Sequence, residues 1–143
     1  MKYENAVYPS KDQLAELAES SADRPIYMVN LVKYKTKAEY ADGRDTELTG
    51  EEAYGLYIEG VRGLLAKVGG ELTFSAPVTG LRLGEVEELW DSVSIAMYPA
   101  RQAMLEMMMM PEMSEISEHR AAGLKGQLNI EASGAEGSWL DNK

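Results

Sequence analysis

The chain contains no cysteine and a single histidine, His119, among its 143 residues. Without thiols it forms neither disulfides nor thiolate metal sites, and one imidazole is too few for a dedicated zinc site. Phosphate loops, dinucleotide fingerprints and nucleophile elbows are also missing. We therefore expect no metal and no cofactor.

Basic residues are scarce, because 14 Lys and Arg stand against 24 Asp and Glu, for a formal net charge of −10. That balance opposes binding to a phosphate backbone, so no nucleic-acid partner is expected. Long hydrophobic runs are missing too: no stretch approaches the ~20 apolar residues of a membrane span. The first ten residues, MKYENAVYPS, lack the apolar part of a signal peptide. We expect a cytoplasmic protein without a membrane partner.

Residues 88–99, ELWDSVSIAMYP, organise the rest of the chain. Apolar side chains alternate onto both faces of this segment, which is typical of a central strand that is covered on both sides. Pro99 has no N–H to donate, so it ends the strand and leads into a helix. Asp91 lies on an otherwise apolar face and needs a counter-charge, which we expect Arg120 to supply.

The remaining elements follow from hydrophobic periodicity and capping residues. Capping boxes, Ser10 with Gln13 and Thr49 with Glu52, open two helices. Gly69 ends the second of them. The predicted order is a helix at 10–21, a strand at 26–33, a long helix from 49, a strand at 71–84, a strand at 88–98, helices at 99–109 and 111–122, and a strand at 124–131. Without the first helix this is a ferredoxin-like βαββαβ order, with an antiparallel four-stranded sheet in an α+β fold.

The predicted helices cover one face of that sheet. Because the strand at 26–33 is apolar on both faces, the second face also needs a cover, and a second copy of the chain is the simplest one. We predict a homodimer. The domain division is an N-terminal extension at 1–24, a ferredoxin-like domain at 25–131 and a flexible tail at 132–143, whose Trp139 and Leu140 clamp the neighbouring subunit.

Four segments carry a resemblance to a known family. They are PIYMVNLVKY at 25–34, TGEEAYGLYIEGV at 49–61, ELWDSVSIAMYPAR at 88–101 and MPEMSEISEHRAAGL at 110–124. Together they resemble the domain of unknown function thirteen-thirty family, in the dimeric α/β-barrel superfamily. The resemblance covers about residues 25–131 and implies a ferredoxin-like fold paired into a dimeric α/β barrel. It implies no established activity, since the superfamily holds cofactor-free monooxygenases, isomerases and haem enzymes.

Three polar residues are candidates for chemistry. Asn30 interrupts an apolar strand, so its amide either binds partners within the fold or faces a ligand. His119 is either structural or a general acid or base, since its unperturbed pKa lies near neutral pH. Arg120 either pairs with Asp91 or orients a ligand carboxylate. Glu112 and Glu115 share a helical face with His119, which we interpret as a solvated acidic face rather than a metal site.

Two aromatic residues, Tyr54 and Trp90, are candidates for the walls of an apolar pocket, although aromatic residues at such spacings also form cores. The sequence therefore predicts a sheet–helix cleft bordered by Asn30, Tyr54, Trp90 and Arg120 as ligand-binding residues, with His119 as the catalytic one. We expect a homodimeric α/β-barrel protein that binds a small apolar or aromatic acid there, in one version as a cofactor-free enzyme. The alternative is a non-catalytic structural homodimer without a specific ligand.

Overall fold

A computed structural model of the chain describes residues 7–19 and 24–137. The helices and strands follow one another in the predicted order. They are α1 Lys11–Glu19, β1 Ile26–Tyr34, α2 Gly50–Lys67, β2 Glu71–Pro77, β3 Ser92–Tyr98, α3 Arg101–Met108, α4 Pro111–Gly123 and β4 Leu124–Ser133. The predicted first helix extended to residue 21, and residues 20–23 lie outside the described part.

The four strands form one sheet in the order β2-β3-β1-β4. Every neighbouring pair is antiparallel, with β1 in the middle, hydrogen-bonded to both β3 and β4. This strand order, with a helical crossover between β1 and β2 and another between β3 and β4, is the ferredoxin-like arrangement. The predicted α+β fold is therefore confirmed.

Local capping chemistry fixes where two helices begin. The Thr49 hydroxyl accepts a hydrogen bond from the Glu52 backbone N–H at 3.0 Å, and the Glu52 carboxylate accepts one from the Thr49 N–H at 2.9 Å. Ser10 and Gln13 form the same reciprocal pair before α1, at 3.2 and 2.9 Å. Each box satisfies two backbone donors that a helix start otherwise leaves unpaired. Both predicted capping boxes are confirmed.

The main core lies between the helices and one face of the sheet. Ile26, Leu65 and Met107 are almost wholly buried within it, at 1%, 1% and 2% exposure. The core cluster comprises Ile26, Met28, Val61, Leu64, Leu65, Ala96, Tyr98, Ala103 and Met107. Met104, Met110 and Met113 pack against that cluster, so much of the methionine-rich segment fills gaps in the core.

Two bulges shift the alternation of side chains along the edge strands. In β2 the pairing register with β3 shifts between Leu72 and Phe74. In β4 one extra residue lies between Leu124 and Gly126, which pair with the consecutive residues Tyr34 and Lys33 of β1. In a regular strand Leu124 and Leu128, four residues apart, would point to the same face. The extra residue in β4 instead places Leu124 on the helix-covered face and Leu128 on the opposite one.

Two strands are shorter than predicted. β2 ends at Pro77 rather than at residue 84, and β3 begins at Ser92 rather than at residue 88. Pro77 is the last residue of an edge strand, where a missing N–H costs no ladder hydrogen bond. The intervening residues 78–91 form an irregular connection, which Asp91 joins to β1 by donating its N–H to the Val32 carbonyl at 2.9 Å.

Helices α2 and α4 touch where neither carries a side chain. A Cβ on Gly50 would meet the backbone of Lys35 and the Gly123 carbonyl oxygen, and one on Gly123 would meet the backbone of α2. Gly60 approaches the Ile116 side chain in the same way. Elsewhere on α2 the glycines are not constrained in this way, because nothing lies within 4 Å of a Cβ on Gly55 or Gly63.

The sheet face opposite the helices is apolar across all four strands. Cross-strand partners point to the same face, so the pairing registers define its rows. One row is Phe74, Ile95, Val29 and Ile130, and the next is Ala76, Val93, Leu31 and Leu128. We call these eight residues the open face. Phe74 and Ile130 remain 42% and 47% exposed.

The division of the chain at residues 24 and 131 stays a prediction, although β4 itself continues to Ser133. Trp139 and Leu140, the predicted clamp, lie outside the described residues. In the described part of the chain, no helix combines the length and apolar character needed to cross a membrane.

Candidate functional site

A polar row crosses the helix-covered face of the sheet. Ser75 of β2 pairs with Ser94 of β3, Ser94 with Asn30 of β1, and Asn30 with Asn129 of β4. Paired residues share a face, so their four side chains form a line across the sheet, which we call the polar row. Ser94 is buried, at 6% exposure, which is uncommon for a polar side chain.

A cavity of about 220 Å³ lies over one half of this row, between α2 and the sheet. The sheet contributes mainly hydroxyl groups, and α2 contributes an aromatic ring, an aliphatic side chain, a glycine and, at the border with the outer cleft, the carboxylate of Glu51. Its lining residues are Tyr34, Glu51, Tyr54, Gly55, Ile58, Ser75, Ser92 and Ser94. Drug-sized ligands occupy roughly 300–1,000 Å³, so a cavity of this size suits a small metabolite.

The cavity continues into an open outer cleft of about 1,230 Å³. Tyr34, Glu51, Ser75 and Ser92 border both spaces, so the cavity and the cleft are continuous. Four lysines line the outer cleft: Lys33, Lys35, Lys37 and Lys125. Four carboxylates accompany them: Glu39, Glu51, Glu88 and Asp91. The lining is therefore formally neutral on a chain of net charge −10, and it repels an anion less than most of the surface does.

Asp91 fixes one wall of the outer cleft. Its carboxylate accepts hydrogen bonds from the Tyr34 backbone N–H at 2.8 Å and from Lys33 Nζ at 3.2 Å. Burial opposes the charge on Lys33, but its bonds to Asp91 and Glu88 outweigh that effect and raise the pKa of the ammonium group. The predicted Asp91–Arg120 pair is wrong, because Lys33 of the adjacent strand is the counter-charge.

Three tyrosines form a continuous aromatic wall behind the cavity. The ring centroids of Tyr34 and Tyr54 are 5.9 Å apart, and those of Tyr54 and Tyr57 are 5.6 Å apart. Burial raises the pKa of all three phenols. The hydroxyls are therefore neutral at physiological pH, where a phenol both donates and accepts hydrogen bonds.

Arg120 lies at the far side of this wall. Its guanidinium stands over the Tyr57 ring at 5.8 Å and over the Tyr8 ring at 5.5 Å. Its Nη1 donates to the Gln127 side-chain oxygen at 2.9 Å, and Gln127 Nε2 donates to Asn30 Oδ1 at 2.8 Å. One hydrogen-bond chain therefore joins Arg120 to the polar row.

Asn30 is satisfied within the fold. Its Oδ1 also accepts from Asn129 Nδ2 at 2.6 Å, and its Nδ2 donates to the Met28 carbonyl at 3.2 Å. The amide thus bonds three partners across β1 and β4, as a partly buried amide should. Asn30 lies one strand away from the cavity, as the cross-strand neighbour of Ser94.

His119 belongs to a different cluster. Its Nδ1 lies 2.6 Å from the Tyr40 hydroxyl, and the two rings meet edge to face. The Arg44 guanidinium lies over the Tyr40 ring, 4.4 Å from its centroid, and donates a hydrogen bond to the Glu118 carboxylate on α4 at 3.2 Å. These contacts hold the connection between β1 and α2 against α4.

The structure therefore brings only part of the predicted site together. Tyr54 lines the cavity, while Asn30 and Arg120 are linked to each other through Gln127 behind it. Trp90 is buried at 6% exposure, and neither it nor His119 lines the cavity or the outer cleft. Sequence reasoning missed Ser75, Ser92 and Ser94, whose signal was a run of small hydroxyl residues at alternate positions of predicted strands.

In the part of the chain that the structure describes, no group of three or more His, Asp or Glu side chains is arranged to hold a metal ion. Glu112, which the sequence placed beside His119, bonds Lys67 at 3.1 Å instead. A hydrogen bond from its own backbone N–H and the Lys67 ammonium lower the pKa of that carboxyl. This matches the expected solvated acidic face.

The fold and the cleft define a ferredoxin-like α+β protein with a hydroxyl-lined space between helix and sheet. The chain is similar to RPA0582, a protein of unknown function from Rhodopseudomonas palustris, with a TM-score of 0.83 and 29% identity, covering 92% of this chain and 98% of that one. Against the methylated RPA0582 structure the TM-score is 0.83 and the identity 31%, over 92% and 96% of the two chains. The chain belongs to the same family as RPA0582.

More distant structures share the fold alone. SnoaB, a cofactor-independent oxygenase from Streptomyces nogalater, has a TM-score of 0.51 and 13% identity, covering 82% of this chain and 98% of that one. The Arabidopsis thaliana protein At3g17210 gives the same TM-score and identity over 79% and 98%. No protein-family model matches the chain, and the search of curated proteins finds no match either.

Proposed function

We propose that this protein binds a small organic acid in the space between α2 and the sheet. The observation that carries the proposal is the cavity of about 220 Å³, which opens into a cleft lined by four lysines and four carboxylates. A concave space with a few convergent polar groups is the usual form of a ligand site. The acid's body occupies the cavity and its carboxylate lies in the outer cleft.

The two parts of the space differ in chemistry in a way that suits such a ligand. The cavity offers the Tyr54 ring, the Tyr34 ring and Ile58, which can pack against an aromatic or aliphatic body. The outer cleft offers Lys35, at 3.6 Å from Glu39, and Lys37, which forms no ion pair within the described residues. A carboxylate placed there gains charge-assisted hydrogen bonds.

The five predicted site residues take different parts in this proposal. Tyr54 contacts the ligand directly, whereas Asn30 and Arg120 hold the polar row and the aromatic wall in position. Trp90 is buried two residues before β3 begins and does not contact the ligand. His119 as a general acid or base, and with it the cofactor-free enzyme, remains a prediction. The hydrogen bond of 2.6 Å between His119 Nδ1 and the Tyr40 hydroxyl argues against this role, because it occupies one of the two ring nitrogens.

Thermal shift with matched pairs of small molecules tests the binding proposal. Benzoate and cyclohexanecarboxylate should raise the melting temperature, whereas benzamide, which lacks the charge, should do so much less. A ligand at about 100 times its Kd adds roughly 2.7 kcal/mol of stability by mass action. If no acid in a broad panel shifts the transition, the proposal is refuted.

A pair of glycine variants locates the site. A leucine at Gly55 enters the mouth of the cavity, while Gly63, two turns further along the same helix, has open space around its Cβ and lines neither space. Gly55→Leu should abolish the acid-induced shift and Gly63→Leu should preserve it. Equal binding by both variants would place the ligand elsewhere.

We also propose that the chain forms a homodimer through the open face, as a dimeric α/β barrel. Eight apolar side chains in two complete rows face away from the helices, and a monomer would leave this patch in water. A second copy presents the same surface, so the contact is self-complementary about a two-fold axis. The open face favours this assembly whether or not the cleft holds a ligand, so the dimer also serves the alternative function, a structural homodimer without a specific ligand.

Light scattering at micromolar concentration tests the dimer and should give twice the chain mass. Ile130→Lys puts a charge on the open face, on its edge strand β4, at a position 47% exposed, so the monomer fold tolerates it. Leu83→Lys, at 90% exposure and outside that face, is the control. We expect only Ile130→Lys to dissociate the dimer, and a wild-type monomer would contradict the proposal.

Membership in the domain of unknown function thirteen-thirty family and a location in the cytoplasm are part of the same proposal. The four segments that resemble this family support the proposed membership. Three of them form β1, α2 and β3, which border the cavity. The fourth forms α4 and supplies Arg120.

A further inference from the structure

We propose that the cavity selects acids whose body carries a hydroxyl or keto oxygen, which the hydroxyls of Ser94 and Ser75 bind, over acids with a purely apolar body. This inference rests on the proposed function and names the class of ligand that the site prefers. It departs from the sequence-based expectation of an apolar acid, because the floor of the cavity is made of hydroxyls.

The position of the two serines carries the argument. Ser75 and Ser94 are direct cross-strand partners at the start of the polar row, and both line the cavity. Within the described residues, neither hydroxyl forms a hydrogen bond. Each therefore retains one donor and two acceptor lone pairs for whatever occupies the cavity.

Ser92 shows the contrasting case in the same cavity. Its hydroxyl donates to the Ala76 carbonyl at 3.2 Å and also bonds the Tyr34 side chain. Those partners belong to the fold, so Ser92 shapes the cavity and has little capacity left for a ligand. The two kinds of serine make it possible to separate recognition of the ligand from the architecture of its site.

An apolar body that covers Ser94 would strip water from a buried hydroxyl and return no hydrogen bond. A hydroxyl or keto oxygen at the same place restores the bond. Leaving a buried polar group unpaired is costly, and one such mismatch corresponds to about a tenfold loss of affinity or more. Oxygenated acids should therefore bind about tenfold more tightly than their deoxy analogues.

Titration calorimetry with benzoate and its three monohydroxy isomers tests the inference on the full chain. In the wild type, at least one hydroxybenzoate should bind about tenfold more tightly than benzoate. The double variant Ser75→Ala, Ser94→Ala should reduce this ratio to about one, mainly by weakening the hydroxylated ligand. Ser92→Ala should weaken both ligands by the same factor and leave the ratio unchanged.

The outcomes separate the two proposals. If benzoate and all three hydroxybenzoates bind equally, or if the ratio survives removal of both hydroxyls, the selectivity is refuted while the acid site stands. If none of the four acids binds, the acid site fails as well. Circular dichroism of each variant, with an unchanged thermal transition, shows that a loss of selectivity does not come from unfolding.

Discussion

Gly50 offers a sharp test of how α2, α4 and the strand β1 fit together. A Cβ at this position would meet three backbone atoms, namely the oxygen and nitrogen of Lys35 and, at 2.6 Å, the oxygen of Gly123. Backbone cannot rotate away as a side chain can, so α2 would have to move off both neighbours. Overpacking of this kind costs about 1–3 kcal/mol.

The matched substitution is Gly63→Ala on the same helix. Nothing lies within 4 Å of its Cβ and the residue is exposed, so alanine gains about 1 kcal/mol from helix propensity. Gly50 is the first residue of α2, where the propensity gain is smaller than in a helix interior, so the overpacking cost dominates. We expect Gly50→Ala to lower the free energy of unfolding by about 1–2 kcal/mol and Gly63→Ala to raise it by up to about 1 kcal/mol.

Urea unfolding followed by circular dichroism measures this difference. For an m-value of about 2 kcal/mol per molar urea, the two midpoints should lie roughly 1 M apart, on opposite sides of the wild type. The m-value should stay the same, because neither change alters the surface exposed on unfolding. A Gly50→Ala midpoint at or above that of the wild type would refute the close approach of the two helices at this point.

Three further outcomes follow from individual contacts. Thr49→Ala removes one half of the capping box with Glu52 and should cost about 1 kcal/mol by urea unfolding, whereas Thr49→Ser should cost far less. Tyr40→Phe deletes the hydroxyl that lies 2.6 Å from His119 and should lower the free energy of unfolding by about 1 kcal/mol, with no change expected if that contact is broken in solution. Burial raises the pKa of Tyr54 in the folded state, so its stabilising effect is complete below about pH 10, the unfolded pKa, and is lost as the pH rises above it. Tyr54→Phe should therefore lessen the loss of stability above about pH 10, to which the other buried tyrosines still contribute, and an equally steep loss in that variant would contradict the assignment.

The elements that sequence predicted well depend on contacts close in the chain. Both capping boxes join residues three apart, so their geometry is set once the first helical turn forms. The order of strands and helices follows from periodicity, and only a few topologies accommodate it. The four-stranded sheet was predictable for that reason. The end of β2 and the start of β3 were not, because tertiary contacts decide where strand pairing stops.

The candidate site was harder to predict because its residues meet through register. Ser75, Ser94 and Asn30 come from three strands and align only when the pairing of β2, β3 and β1 is known to the residue. The counter-charge of Asp91 was assigned to Arg120 on chemical grounds, yet Lys33 is directly adjacent across the strand pair. Nothing in the local sequence distinguishes the two cations, and only the fold brings one of them to within 3.2 Å.

One bulge in β4 explains why both faces of the sheet have a distinct chemistry. Without the extra residue at Lys125, the side chains at Leu124 and Leu128 would point the same way, since they are four apart. The register shift instead sends Leu124 to the helix side, into a cluster with Val32 and Tyr54, and Leu128 to the open face. It also turns Gln127 and Asn129 toward the helices, where they complete the bonds of Asn30. A proposed ligand site and a proposed dimer contact therefore occupy opposite faces of one sheet, and substitutions such as Ile130→Lys and Ser94→Ala should affect one without affecting the other.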